Sequence, residues 1–413
     1  MPATIITNIK QLVNTREQTR LLRGKELAAL PCIENAYLVI ENGIIAEYGV
    51  MDHLGWTDNN NDNLIDASGQ FVMPTWCDSH THLVFAASRE TEFVDKIKGL
   101  SYAEIAAKGG GILNSAKKLN ETSEAELLRL AWARLHEVIL SGTGAIEIKS
   151  GYGLSVEGEL KMLRVINKLK EISPIPVKAT FLGAHTYPLE YKDNHQKYID
   201  LLINDMLPII SAEKLADYID VFCETGFFSP EETETICRAG MRYGLKPKIH
   251  ANQLNLSGGT QVGVKLGAIS VDHLETMDEE SIHLLANSTT IGTLLPTAAF
   301  FLRMPFQPAR KLIDAGCAIA LATDFNPGSS PSGNMSLVIA MSCIQMKMLP
   351  EEAINAATIN GAFAMELQDE LGSISVGKKA NLIFTKPIPS MAYLPYSFGT
   401  NLIDKVMIGG EFI

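Results

Sequence analysis

No run of 18 or more uninterrupted apolar residues occurs in this 413-residue chain, so a membrane-spanning helix is excluded on length. Basic residues are in deficit: 35 Lys and Arg against 47 Asp and Glu leave a net charge of −12. That balance argues against a phosphate-neutralising nucleic-acid binder and against a polybasic membrane anchor. It leaves room for a small anionic substrate, because one local arginine reverses the field within a pocket. Cysteine is sparse, six residues with no CxxC pair, which excludes a disulfide scaffold. The cysteines read as buried thiols in a reducing cytoplasm. The start, Met1-Pro2-Ala3-Thr4, lacks the basic-then-apolar pattern of a secretory signal. The first βα turn has no GxGxxG, and no internal repeat or low-complexity tract appears. With 46% hydrophobic and 20% charged residues the composition is that of a folded protein. The length predicts two or three domains, or one large barrel with an appendage.

Both ends are β-rich. Ala36–Ile40 and Gly43–Tyr48 flank the turn Glu41-Asn42-Gly43, a hairpin signal, and Asn59–Asn63 is a polar turn. The tail repeats the theme with Ala380–Thr385 and Val406–Ile413. Head and tail are therefore expected to pair as a small β-sandwich domain, residues 1–68 and 373–413, with a central domain, 69–372, inserted between them. Within that centre stand eight short apolar runs: Phe71–Trp76, Gly144–Ile148, Val177–Leu182, Ile219–Cys223, Pro247–Ile249, Ile269–Val271, Thr290–Leu294 and Ala318–Ala322. Between them, segments such as Ser123–Ser141 and Val156–Ile172 carry apolar residues at helical spacing. Eight strand–helix alternations predict an α/β fold, a (β/α)8 TIM-type barrel. The alternative, an open doubly wound sheet, lacks its phosphate-binding turn.

The residues that follow these runs carry chemistry. In Asp78-Ser79-His80-Thr81-His82 the two-residue strand period turns both imidazoles to one side. An isolated HxH is often a surface pair. Here His250 and Asp324 also stand at strand C-ends, and three histidines with one carboxylate form a metal-ligand set that leaves a position for water.

DSHTH, His250, His273 in Val-Asp-His-Leu-Glu and Asp324 together resemble the metal-dependent amidohydrolase superfamily. Glu147-Ile-Lys-Ser-Gly-Tyr-Gly-Leu154, Phe181-Leu-Gly-Ala-His185 and Thr323-Asp-Phe-Asn-Pro-Gly-Ser329 resemble its imidazolonepropionase family over nearly the whole chain. The resemblance implies hydrolysis of 4-imidazolone-5-propanoate to N-formimidoyl-L-glutamate in histidine degradation. It implies one divalent metal, zinc or iron, on His80, His82, His250 and Asp324, and it allows a homodimer. His273 and Asp324 are the expected proton-handling residues, and Arg89 is assigned the propanoate tail. Tyr152 and His185 match substrate-contacting positions, and Asn326, Gly328 and Ser329 match those that hold the product. Tyr102, before the flexible Gly109-Gly-Gly111 loop, is a further substrate-contact candidate.

Gln253 stands in His250-Ala-Asn-Gln253, where many metal-dependent deaminases carry a glutamate shuttle. An amide orients substrate but is no base. That weakens the alternative reading, an aminohydrolase of an amino-heterocycle on the same fold, and leaves the identity of the general base open. A third reading, a non-catalytic scaffold, conflicts with the intact ligand set. Strand four ends Phe222-Cys223-Glu224, without the carboxylated lysine of binuclear relatives, so a hydrogen bond within the site is expected of Glu224. Lys149 is expected to pair with a carboxylate, Met341–Met348 to pack in the core, and His53, His136, His195 and His283 to lie at the surface or in packing.

Overall fold

The computed structural model describes residues 3–55, 62–100, 104 and 110–413, so the Tyr102 candidate lies outside the described residues. The chain enters along β1 (Thr4–Val13) and turns back through β2 (Cys32–Glu41) and β3 (Ile44–Val50), all antiparallel. Asn42 and Gly43 both take left-handed backbone, with φ 53° and 78°. That conformation suits a two-residue hairpin, because its twist matches that of the strands. β4 (Asn63–Asp66) and β5 (Phe71–Pro74) then pair parallel to β1.

Strands β6 (Trp76–Thr81), β7 (Thr143–Lys149), β8 (Val177–Ala184), β9 (Tyr218–Cys223), β10 (Lys246–Ala251), β11 (Ser270–His273), β12 (Ile291–Leu294) and β13 (Ile319–Leu321) follow as a second, all-parallel sheet in chain order. The chain returns to the first sheet as β14 (Leu382–Thr385), β15 (Ile403–Ile408) and β16 (Glu411–Phe412). Head and tail meet where β14 pairs antiparallel with β5. The edges of this small sheet curl together: Ala380 N donates to Gly43 O at 2.8 Å and Gly410 N to Ala380 O at 3.1 Å. Ile6, Leu38, Ile45, Leu382 and Phe384 fill the fold of one continuous sheet.

One expected strand divides in two. The run Phe71–Trp76 is expected as one barrel strand, but Phe71–Pro74 pairs within the small sheet. The switch takes a single residue: Thr75 N donates to Asn381 O at 3.1 Å, and Trp76 N to Gly142 O at 2.9 Å. All of Phe71–Trp76 is buried. Apolar composition reports burial, not the sheet that supplies the partner.

Helices shield the barrel as the spacing predicts. Ser123 accepts from Glu126 N at 3.3 Å to cap helix Glu124–Leu140, and Ser155 accepts from Gly158 N at 3.1 Å to cap Val156–Ile172. The first buries Leu127, Ala131, Leu135 and Val138, a stripe in which each leucine contributes roughly 1.5–3 kcal/mol. Met335, Met341, Met346 and Met348 are buried, as expected of core. His53, His136, His195 and His283 are exposed. The six cysteines are unpaired. Among the described residues no helix is long and apolar enough to cross a membrane.

The barrel closes at the end that matters. A regular ladder is replaced between β13 and β6 by contacts around residues 78–82. Asp324 N donates to His80 O at 3.0 Å and His82 N to Phe325 O at 2.9 Å. The buried Asp78 carboxylate accepts from Thr323 N at 3.0 Å and Oγ1 at 2.6 Å.

Candidate active site

Parallel strands deliver their C-terminal residues to one rim, which is where His80, His250, His273 and Asp324 come together. His80 and His82, two apart on β6 and just beyond it, are both buried. His80 Nδ1 donates to Asp272 Oδ2 at 2.6 Å, and His250 Nδ1 to Asp220 Oδ2 at 2.9 Å. Commitment of both Nδ1 protons outward leaves lone pairs on both Nε2 atoms, aimed inward. His250 Nε2 lies 3.4 Å from His82 Nε2, and Asp324 Oδ1 lies 3.5 Å from Nε2 of both His80 and His82. His80 Nε2 has no hydrogen-bond partner although it is buried. Lone pairs and a carboxylate facing one another repel unless a cation lies among them, so these donors fit a divalent metal ion. His80, His82 and His250 form one such ligand group, and His80, His273 and Asp324 a second. Burial and neighbouring cationic groups hold His80 and His82 well below the usual imidazole range, in the neutral form that ligates.

Two residues of the rim show backbone strain. His273 has φ 86° and Asp324 φ 53°, left-handed conformations uncommon for any residue but glycine. Burial pushes the Asp324 carboxyl up to about 6, against the pull of His273 and His250. Burial opposes charge on His273, but Glu275, 3.3 Å from Nδ1, together with Asp324 and Asp272 outweighs it and raises the imidazole above its ordinary value.

The walls are built from the sequence motifs. The KSGYGL segment wraps the buried Glu159 carboxylate, which accepts from the backbone N–H groups of Gly151 at 3.0 Å, Gly153 at 2.7 Å and Leu154 at 3.0 Å. Gly153 has to be glycine, because a Cβ there would overlap the Gly158–Glu159 backbone. The wrapped loop sets Tyr152 beside His82 and His185, at ring distances of 5.9 and 5.6 Å. His185 stacks on His82 at 5.2 Å with its Nδ1 on Gly151 O at 3.0 Å. Burial and the nearby His250 lower its pKa to about 3. Gln253 is buried in the chamber wall. Glu224 carries the loop behind it, accepting from Leu254 N at 2.8 Å, Asn255 Nδ2 at 3.0 Å and Thr225 N at 2.7 Å. Both of its oxygens are therefore engaged.

An inner chamber of about 80 Å³, lined by His82, His250, His273 and Asp324, shares walls with a vestibule of about 300 Å³. Arg89 lines the vestibule together with Gly328 and Ser329. It is not a free loop cation: Glu92 Oε2 accepts from its Nε at 2.9 Å and Nη2 at 2.5 Å. Its Nη1 edge lies against Gly328. Asn326 is a scaffold for this turn, with Oδ1 accepting from Gly328 N and Ser329 N at 2.8 Å each and Nδ2 donating to Asp324 O at 2.7 Å. Ser329 Oγ lies 3.4 Å from Asp324 Oδ2.

Sequence reasoning missed Asp220 and Asp272, which accept from His250 and His80, and Glu92, Glu159 and Glu275 in the surrounding walls. A signal existed for the first two, since each is a lone carboxylate inside an apolar strand run, Tyr-Ile-Asp-Val-Phe and Ser-Val-Asp-His. Lys149 does pair with carboxylates, Glu147 at 2.6 Å and Asp220 at 2.8 Å.

Known proteins bear on this geometry. Residues 224–413 match the Amidohydrolase family. An imidazolonepropionase of Flavobacterium johnsoniae is 59% identical over 99% of this chain and 100% of its own length. Imidazolonepropionases of Clostridium tetani and a Geobacillus species are 44% and 41% identical, over 94% and 100% of this chain and 93% and 98% of theirs. Among solved structures, the guanine deaminase of E. coli superposes with a TM-score of 0.74 at 14% identity, over 100% of this chain and 99% of that one. That of C. acetobutylicum gives 0.72 at 16% identity, over 100% of both chains. At such low identity the two deaminases show a shared barrel architecture and no more. The full-length relatives carry the assignment: this chain belongs to the imidazolonepropionase family.

Proposed function

We propose that this hydrolase opens the ring of 4-imidazolone-5-propanoate, breaking its cyclic amide C–N bond to give N-formimidoyl-L-glutamate in histidine degradation. His80, His82, His250 and Asp324 hold one divalent cation, zinc or ferrous iron, since three imidazoles and a carboxylate accept either. The observation that carries this reading is the pair of inward lone pairs on His80 and His250, each fixed by an aspartate on its outer nitrogen. When bound, the cation lowers the pKa of a water from 15.7 towards about 7 and polarises the ring carbonyl.

The chain's own residues do the rest. Asp324 takes a proton from the attacking water and returns it to the departing ring nitrogen, its second carboxylate oxygen being available for that task. His273, which Glu275 biases towards its charged form, donates to the carbonyl oxygen as charge develops there. His185 donates Nδ1–H to Gly151 O, so its Nε2 accepts from an imidazolone N–H. Tyr152 and Gln253 hydrogen-bond the remaining heteroatoms, and Gln253, an amide, moves no proton. Arg89, anchored along one edge by Glu92, offers its other edge to the propanoate carboxylate. Asn326, Gly328 and Ser329 shape the turn that faces the product. The unpaired thiols suit a reducing cytoplasm.

Loss of freshly prepared imidazolone propionate, followed by absorbance with metal analysis on the same sample, tests this. Chelation is expected to abolish turnover and Zn²⁺ or Fe²⁺ to restore it. Full turnover by metal-free protein would overturn the mechanism. Ammonia release from an amino-heterocycle without imidazolone consumption would favour the aminohydrolase.

A further inference from the structure

Beneath the site an ion-pair network joins five side chains with no solvent exposure, Lys149, Lys248, Glu147, Asp220 and Asp272. Two cations against three carboxylates leave one negative charge. Their contacts are not evenly shared. Glu147 has three partners, Lys248 Nζ in close contact, Thr180 Oγ1 at 2.6 Å and Lys149 Nζ at 2.6 Å. Lys149 alone reaches the two aspartates: Nζ lies 2.8 Å from Asp220 Oδ2 and 3.5 Å from Asp272 Oδ2. Among the described residues no other lysine or arginine is paired with either aspartate. The atoms it touches are the ones that accept from His250 Nδ1 at 2.9 Å and His80 Nδ1 at 2.6 Å.

From this geometry we infer that Lys149 is a positioning residue for the cation site, joining the Asp220–His250 and Asp272–His80 arms into one unit through a single ammonium. Two carboxylates near one another repel. Without the shared cation each would rotate away, and each grips an imidazole by its outer nitrogen, so the inward nitrogens would turn with it. Ser270 Oγ, 2.6 Å from Asp272 Oδ1, and the His250 backbone N–H, 3.0 Å from Asp220 Oδ1, fix the other oxygens. The movable oxygens are thus the ones Lys149 touches. Burial works against charge on Lys149, and Asp220, Glu147 and Asp272 outweigh it, so the ammonium persists. The inference rests on the proposed cation site.

The test is the dissociation constant for Zn²⁺ of the full chain, by competition with a chromogenic chelator. Lys149→Met is expected to weaken binding about 10-fold or more, the range for groups that support metal ligands. In the Asp220→Asn/Asp272→Asn background the same change is expected to do nothing further, within about 2-fold, because the groups through which it acts are gone. An equal loss in both backgrounds would show a general structural role and overturn the inference, as would native affinity in Lys149→Met. If that single variant does not fold, Lys149→Met/Asp272→Asn keeps the net interior charge. Compared with Asp272→Asn it is expected to bind Zn²⁺ at least about 5-fold more weakly, since Asp220 still loses its partner, and equal affinity sinks the idea. Failure of the native chain to bind Zn²⁺ or Fe²⁺ would instead remove the cation site itself.

Discussion

Replacing Gly328 by alanine adds one methyl group at the point where the vestibule narrows against Arg89. A Cβ there would stand 3.2 Å from Arg89 Cζ and overlap Nη1. Ordinary contact demands a displacement of roughly 1 Å. A long side chain would normally swing aside at little cost, but this guanidinium is tied to Glu92 at 2.5 and 2.9 Å. Glu92 is itself buried and takes the Gly111 N–H at 3.0 Å. The fork must therefore leave either Glu92 or its bearing on the vestibule. Gly328 has no left-handed backbone, so the alanine carries no φ penalty and stiffens the unfolded chain. The expected outcome separates function from folding. The melting temperature stays level or rises slightly, while kcat/KM for the propanoate substrate falls about 10- to 150-fold, the equivalent of one charged hydrogen bond of about 1.5–3 kcal/mol. The assay is steady-state kinetics on imidazolone propionate beside a thermal melt. In an Arg89→Ala background the Gly328→Ala change should have no further effect. A kcat/KM within about 2-fold of native would refute the assignment of Arg89 to the carboxylate.

Two further outcomes follow from buried groups. Glu159→Gln replaces an acceptor of three backbone N–H groups with an amide that opposes at least one of them. Urea denaturation should show a loss of roughly 1–3 kcal/mol, and KM should rise at native metal content as Tyr152 loosens; unchanged stability and KM would contradict the cradle. His185 has its pKa lowered to about 3, so an unfolded chain binds a proton that the native one refuses between the ordinary value near 6.5 and about 3. Its contribution is complete above that window and is lost as pH falls through it. Relative to His185→Asn, native protein should lose up to about 1.4 kcal/mol per pH unit between pH 6 and 4; parallel stability curves for the two would remove the neutral imidazole.

Much of this site was legible because ligation chemistry is local. Two histidines spaced by one residue have to share a strand face, and a His or Asp closing an apolar run has to stand at a barrel rim. The helix windows read equally well, since Ser123 and Ser155 mark their starts. What stayed hidden depended on partners distant in sequence. Nothing in Phe71–Trp76 says that Asn381 takes one amide and Gly142 the next. Arg89 reads as an open cation because the burial of Glu92, three residues on in helix Glu90–Ile97, is a property of the folded chain. Asp220 and Asp272 were visible as charges in apolar strands, but their role required knowing that His250 and His80 turn their outer nitrogens towards them.

The place where the barrel closes has a consequence for how the enzyme comes into being. First and last staves lack a full ladder and meet through the residues around His80 and Asp324, 244 positions apart along the chain. An ion held by the proposed donors would bridge both staves and act as a clasp on the ring. A polypeptide still missing its last staves carries the imidazoles without the Asp324 carboxylate, so the full donor set exists only once the cylinder has closed.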